Sequence, residues 1–146
     1  MPPVIREMPA HGGALVDRVL RGGLREAAHE RALAMPKVYL SPMAASDLEL
    51  IAVGAFSPLT GFMTSDQYRT TLDDMRLPNG LAWTIPVTLP VEQEQADALR
   101  EGQEIALVEL TDSGQNVMGI MELAEKFRYD REEEAIKVYR TVDDKH

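Results

Sequence analysis

The sequence predicts an α+β domain in which a small, strongly bent sheet or barrel is surrounded by short helices. In the first half of the chain, apolar residues recur at helical spacing behind helix-start signals. In the second half the period changes to the alternation of strands, and a short turn joins two apolar runs as in a β-hairpin. Helices first and strands later are typical of α+β domains. No βαβ nucleotide-binding unit is indicated.

Length and composition fit one domain over residues 1–146. The chain has 45% hydrophobic residues, no cysteine and a formal net charge of −9. This apolar fraction excludes a disordered acidic chain, and the lack of cysteine excludes disulfide frameworks and thiolate metal sites. No stretch reaches the roughly 18–20 apolar residues of a membrane helix. Because Arg6, Glu7 and His11 interrupt any secretory signal, we expect a cytoplasmic domain with no membrane partner.

The first elements are an arm, a helix and a short strand. Prolines and glycines in residues 1–15 predict an extended arm that ends in a turn. A helix is expected from about Leu24 to Ala34, because the segment is rich in good helix formers and Pro36 stops it. Residues 37–41 then predict a short strand.

Two further helix starts follow. Ser46 and Glu49 have the spacing of a capping box, which predicts a short helix from Asp47 to about Val53. Thr64 and Gln67 repeat that spacing. Behind them an apolar stripe at i, i+4 and i+7 predicts a second helix; the stripe consists of Tyr68, Leu72 and Met75.

Strand signals dominate the second half. Residues 84–91 alternate strictly, and two prolines on one face predict an edge strand or one beside a bulge. A short helix is expected from Glu92 to Arg100 because Gly102 follows. Residues 105–110 and 117–121, joined by a turn at 112–114, predict a hairpin. A last helix is expected from Arg131 to Val138, since its acidic start suits the helix dipole.

The residues alone give no self-contained catalytic constellation. Phosphate-binding glycine loops and nucleophile elbows are absent. The three histidines, His11, His29 and His146, lie far apart in sequence, and the carboxylate runs at 73–74 and 132–134 are consecutive, which is typical of solvated surface. A nucleic-acid partner is not expected, because acidic residues dilute the one basic cluster; that cluster is Arg18, Arg21, Arg25 and Arg31.

An apolar loop at residues 54–63 stands out. Two glycines and a proline bracket two of the three phenylalanines of the chain, so the loop must pack against other apolar surface. It either packs inside its own domain as a rigid elbow between two helices or forms part of a domain–domain or ligand-facing surface. The candidate interdomain residues are Gly54, Phe56, Ser57, Pro58, Gly61 and Phe62.

The same region carries a family resemblance. Residues 47–63 closely resemble the N-terminal region of ATP sulfurylase (sulfate adenylyltransferase), and further stretches agree in the family's order. Two positions depart from the pattern: Thr84 lies where the family usually has proline, and Arg140 where it usually has glycine. The agreeing stretches are His11–Gly13 with Leu15, Tyr39–Ser41, Met75–Leu77 leading into Trp83–Leu89, and Val138–Asp143 ending at His146.

The resemblance implies a PUA-like β-barrel and a place in sulfate activation. The parent enzyme joins sulfate to the α-phosphate of Mg²⁺-bound ATP, giving adenosine 5′-phosphosulfate and pyrophosphate. The family places its catalytic groups in a following α/β domain, in Gln-x-Arg-Asn, His-x-x-His and Gly-Arg-Asp stretches, and none of these occurs here. We therefore expect no catalytic, cofactor-binding or metal-binding residue in this chain.

The same resemblance implies a partner. Residues 140–146 are expected to begin the linker to a C-terminal catalytic domain, which this chain would scaffold or dock, and the parent enzyme could form oligomers. Two alternatives remain open: a stand-alone PUA-like module that binds RNA, and a stand-alone protein-interaction module. Fold alone does not decide among them.

Overall fold

The computed structural model describes residues 8–142, which form five helices and one three-stranded sheet, so the α+β prediction is confirmed. Both halves of the predicted hairpin and the last helix lie where the sequence placed them. The helices are α1 (Gly22–Ala32), α2 (Pro42–Ala52), α3 (Ser65–Asp74), α4 (Gln93–Ala98) and α5 (Arg131–Tyr139), and the strands are β1 (Lys37–Tyr39), β2 (Glu104–Thr111) and β3 (Gly114–Glu122).

The sheet has the order β1-β2-β3, with β2 in the centre. β1 pairs with β2 in parallel, and β2 pairs with β3 as an antiparallel hairpin. The register shifts between Leu107 and Val108, which is the irregularity of a β-bulge and increases the local twist. Residues 105–108 of β2 are buried, so the central strand is the floor on which the helices pack.

Buried side chains form three clusters. One lies between the sheet and α2. A second surrounds α3 and the elbow loop, residues 54–62, which lies between α2 and α3. A small third cluster packs α1 on β2 through Ala32, Ala106 and Val108. Phe62 packs against both larger clusters, so the elbow loop connects the sheet half of the domain to the α3 half.

The predicted start of α2 at Ser46 is wrong. The helix begins at Pro42, and Ser41 is its N-cap, whose side chain accepts a hydrogen bond from the Ala44 amide at 3.2 Å. Proline fits the first helical position because its missing N–H has no partner there anyway. Ser46 is an exposed residue inside the helix. The second predicted capping box, Thr64 with Gln67, is present and opens α3.

Two other expectations fail for reasons of tertiary structure. Tyr68 and Leu72 are buried on α3 as predicted, but Met75 is its left-handed C-cap and is 52% exposed. Residues 84–91 form no strand and do not join the sheet. The Val87 carbonyl accepts one hydrogen bond, from the Met63 amide at 2.8 Å. Pro86 and Pro90 have no N–H to offer a ladder.

The structure describes only part of the predicted N-terminal arm. Residues 8–21 contain no helix or strand and turn at residues 11–14, while residues 1–7 lie outside the described part. Likewise, residues 143–146 of the expected linker lie outside it, and the domain bounds 1–146 stay a prediction. Within residues 8–142, no helix is long and apolar enough to cross a membrane.

The two serines near the start of α2 give a matched test of the corrected helix boundary. Ser41→Ala removes the cap and should lower the free energy of unfolding by about 1 kcal/mol. Ser46→Ala replaces an exposed serine inside the helix with a better helix former, so it should change stability by no more than about 0.5 kcal/mol. Urea unfolding of both variants measures the difference; equal losses would contradict the boundary at Pro42.

Candidate functional site

The elbow loop, residues 54–62, begins with a glycine that no other residue can replace without strain. Gly54 is buried and has a φ of +85°. A Cβ atom at this position would lie 2.2 Å from the Val16 carbonyl oxygen and within 3 Å of the Leu15 side chain. The missing side chain therefore lets the N-terminal arm lie directly on the elbow loop.

Ser57 fastens the arm at the same place. Its side chain is 2% exposed. The Oγ atom donates to the Gly54 carbonyl at 2.6 Å and accepts from the Val16 amide at 2.9 Å. A third hydrogen bond joins the Arg18 amide to the Ala52 carbonyl at 2.9 Å. The arm is thus held to the elbow loop by the Ser57 side chain and to the last residue of α2 by a backbone hydrogen bond.

The turn of the arm reaches a third segment. His11 Nε2 lies 2.8 Å from the Ala82 carbonyl oxygen, and the His11 ring centroid is 6.1 Å from that of Trp83. Phe56 meets the same indole edge-on at 5.8 Å. The fold therefore brings together three stretches that are far apart in sequence: the His11–Gly13 turn, the elbow loop and the segment around Trp83.

The remaining candidate residues face the interior more than the solvent. Pro58 and Gly61 are half-buried, and Pro58 contacts the Gly12 region of the arm. Phe56 packs against the α3 cluster, and Phe62 packs against both large clusters. These contacts are those of a rigid elbow inside its own domain. A contact of this loop with a second domain stays a prediction.

A network of charged side chains connects α3 to α5. Lys137 forms ion pairs with Asp73 and with Glu133, the latter at 2.8 Å, and Arg69 pairs with Glu133 at 2.9 Å. Beneath them the buried Tyr68 hydroxyl donates to Glu134 Oε2 at 2.7 Å. Burial first, and the hydrogen bond to Glu134 next, raise the pKa of Tyr68, so this phenol stays protonated and structural.

Three carboxylates of the runs that the sequence suggested were solvated surface belong to this network. Asp73, Glu133 and Glu134 each have a partner across the α3–α5 contact. The sequence carries no signal for those pairs, because the helices lie about sixty residues apart. The only hint was the i, i+4 spacing of Glu133 and Lys137.

The expectation of no catalytic, cofactor-binding or metal-binding residue stays a prediction. His29 is exposed on α1, and His146 lies outside the described part of the chain. Within residues 8–142, no three histidine, aspartate or glutamate side chains come close enough together to hold a metal ion. Two arginines of the basic cluster are ion-paired, Arg21 with Asp17 at 3.0 Å and Arg31 with Glu104 at 2.8 Å.

Comparison with known proteins defines the family. The family model of the PUA-like domain matches residues 8–146. The chain belongs to the PUA-like domain family. Curated relatives of this PUA-like domain are sulfate adenylyltransferases. That of Symbiobacterium thermophilum is 50% identical over 140 residues, which are 96% of this chain and 35% of the relative. That of Trichormus variabilis is 49% identical over 94% of this chain and 34% of the relative.

The chain thus spans about a third of the length of these relatives, and the match is to their N-terminal part. A solved structure agrees. The PUA-like domain superimposes on a hexameric APS kinase from Thiobacillus denitrificans with a TM-score of 0.66 and 33% identity. The match covers 78% of this chain and 22% of that one. The resemblance seen in the sequence is confirmed.

The elbow loop contains a matched pair of glycines for testing the arm contact. Gly54→Ala places a methyl group against the Val16 carbonyl and strains the backbone, so the free energy of unfolding should fall by about 2–4 kcal/mol. Gly61→Ala is the control, because nothing lies within 4 Å of its Cβ position; it should stay within about 0.5 kcal/mol of the parent. Chemical unfolding measures both values.

Amide hydrogen exchange adds a local readout of that substitution. If Gly54→Ala lifts the arm, the Val16 and Arg18 amides should exchange faster, because both donate to the elbow region. Unchanged protection of these two amides, together with unchanged stability, would show that the arm does not depend on the glycine.

The α3–α5 ion pairs predict a pH dependence. The hydrogen bond from Lys137 is the main cause that lowers the pKa of Asp73 and of Glu133, and the bond to Asp73 is the main cause that raises the pKa of Lys137. A carboxyl group whose pKa is lowered by folding stabilises the fold at pH values above its unfolded pKa of about 4, and this stabilisation is lost as the pH falls through the folded pKa. A lysine whose pKa is raised by folding stabilises the fold below its unfolded pKa of about 10.4, and this stabilisation is lost as the pH rises through the folded pKa. The pairs therefore act between these limits.

Lys137→Met should flatten the acid side of the stability profile, since the lowered carboxyl pKa values depend on that ammonium group. Lys126→Met is the control: its ammonium donates to the Ala96 and Leu99 carbonyls at 2.8 and 2.7 Å, so it should lower stability without changing the acid slope. Urea midpoints at about pH 6 and pH 3.5 measure the slope. Equal slopes in the parent and Lys137→Met would refute this origin.

Proposed function

We propose that this PUA-like domain is the non-catalytic N-terminal domain of a sulfate adenylyltransferase, where it scaffolds or docks the catalytic part. The observation that carries the proposal is identity of 50% over nearly the whole chain to an enzyme of that name, of which it spans about a third. The reaction of that whole enzyme would join ATP and sulfate to give adenosine 5′-phosphosulfate and pyrophosphate, with Mg²⁺ on the nucleotide.

The chemistry of the described surface supports a non-catalytic role. Sulfate and ATP are anions, so their site needs positive groups aimed at the transferring phosphoryl centre. This chain has a net charge of −9. Four of its basic side chains, Arg21, Arg31, Arg69 and Lys137, are already paired with carboxylates. Binding of Mg-ATP is therefore assigned to the catalytic part rather than to this domain.

The rigid arm and elbow support a scaffold. A domain that holds another in register must keep its own shape, and the arm is fixed by one hydrogen bond to Ser57 of the elbow loop, one to the last residue of α2, and a buried glycine contact. The solved neighbour is described as hexameric, so assembly of the whole enzyme into oligomers belongs to the proposal. Net negative charge opposes the alternative of an RNA-binding module.

A chimera tests the proposal. Residues 1–146 are joined to the catalytic part of the Symbiobacterium thermophilum enzyme in place of its own matched region. The isolated 146-residue chain should form no adenosine 5′-phosphosulfate from Mg-ATP and sulfate, whereas the chimera should form it and unfold in one cooperative transition. Turnover by the isolated chain overturns the non-catalytic role, and an inactive or two-step chimera overturns the scaffold.

The RNA alternative has its own readout. A gel-shift titration of the isolated chain with a structured RNA should show no salt-sensitive binding, because a chain with a net charge of −9 repels the phosphate backbone. Micromolar, salt-sensitive binding would replace the scaffold proposal with the nucleic-acid one.

A further inference from the structure

A groove of about 250 Å³ lies where the C-terminal ends of α3 and α5 meet the extended segment after Trp83. We call it the α5 groove. Two residues that line the groove, Leu72 of α3 and Val138 of α5, also pack in the α3 cluster. Three large apolar side chains that line it remain open to solvent: Met75 at 52%, Ile85 at 54% and Tyr139 at 62% exposure.

Two further exposed apolar residues, Ile136 and Val142, lie close in sequence to the residues that line the groove. Ile136 and Tyr139 are three residues apart on α5, so they share one side of the helix, and Val142 follows. All three are more than half exposed. Single exposed apolar residues are ordinary on protein surfaces. Several exposed apolar side chains around one concavity, as with Met75, Ile85 and Tyr139, are instead typical of an interaction surface.

Backbone strain is concentrated at the same place. Within residues 8–142, the two non-glycine residues with positive φ are Met75 at 52° and Arg140 at 61°, and both line the α5 groove. Each ends its helix, with its amide bonded to Thr71 and to Ile136 respectively, both at 3.1 Å. Side chains other than glycine adopt this conformation at a cost, and such residues cluster at functional sites.

The groove is preformed. Its α5 wall is held to α3 by the Lys137–Asp73 and Arg69–Glu133 ion pairs and by the hydrogen bond between Tyr68 and Glu134. Its other wall is held by the Met75 carbonyl, which accepts from the Trp83 amide at 2.9 Å. Trp83 in turn packs on Phe56 of the elbow loop. The loop therefore supports the groove from within the domain, while its own Ser57 and Leu59 stay buried.

The position of the groove indicates its occupant, given the proposed function on which this inference rests. The longer relatives match this chain with their N-terminal part, so their remaining two thirds continue from the end of the matched region. The family match extends to residue 146, four residues after Val142, and four residues span at most about 14 Å. A domain tied so closely meets the groove at high effective concentration.

We propose that the α5 groove is the surface on which the catalytic part of a sulfate adenylyltransferase docks, through an apolar segment that covers Met75, Ile85 and Tyr139. The exposed apolar side chains of the isolated chain are then the buried centre of an interdomain contact. Other exposed apolar residues, such as Met43 on α2 and Leu110 on β2, lie outside the groove and stay open to solvent.

Methionine oxidation tests the docking surface without any substitution. The isolated chain and the chimera described above are treated with hydrogen peroxide, and the oxidation of each methionine is followed by mass spectrometry. Met75 should oxidise about tenfold more slowly in the chimera, because oxidation requires access to the sulfur. Met43, which is 76% exposed, is the internal control and should oxidise at the same rate in both proteins.

A pair of tyrosine variants gives a second, energetic readout in the chimera. Tyr139→Ala should split its single thermal transition into two or lower the transition temperature, while the unfolding of the isolated chain stays unchanged because this ring is mostly exposed. Tyr39→Ala on β1, 46% exposed in the parent, is the control and should leave the chimera with one transition.

The outcomes separate the two proposals. An active, cooperative chimera in which Met75 and Met43 oxidise as in the isolated chain, or in which Tyr139→Ala behaves like Tyr39→Ala, overturns the α5 groove and leaves the proposed function standing. An inactive or two-step chimera built from the unaltered chain overturns both. Protection of Met75 alone, together with the effect of Tyr139→Ala, supports the groove.

Discussion

The close approach of the Val16 carbonyl to Gly54 is the contact on which much of this domain depends. A backbone oxygen occupies the space where every other amino acid carries its Cβ atom, and Ser57 bonds both the arm and the Gly54 carbonyl. Because the arm lies there, its turn reaches Trp83, and Trp83 can hold both Phe56 and Met75. Because Gly54 has no side chain, the first described residues can pack against the middle of the chain.

The two large clusters solve different packing problems. Around the sheet, aliphatic side chains of β1, β2 and α2 exclude water in the usual way. α5 has no fully buried residue; Val138 packs against the α3 cluster, and ion pairs and the Tyr68–Glu134 hydrogen bond add to that contact. Each exposed ion pair contributes little to stability. The groove is positioned by polar contacts and lined by apolar ones.

The elbow loop and the proposed docking surface have different roles. The sequence drew attention to the loop because its phenylalanines needed apolar partners, and the structure supplies those partners within the domain. The apolar residues left without cover lie at the end of α5, next to the point from which the longer relatives continue. In the proposed enzyme, the loop would shape the scaffold and the α5 groove would make the contact.

The sequence by itself determined the α+β class, the hairpin, the capping box at Thr64, the last helix and the family, because each depends on residues near one another in the chain. Local signals failed where two were in competition: Ser41 with Pro42 began α2 before Ser46 could, and two prolines kept residues 84–91 out of the sheet. Only the tertiary structure decided that Met75 turns outward, that Gly54 admits the arm, and that Glu133 and Glu134 face α3. The contacts of Gly54, Glu133 and Glu134 join segments about 40 to 66 residues apart, which no local pattern encodes.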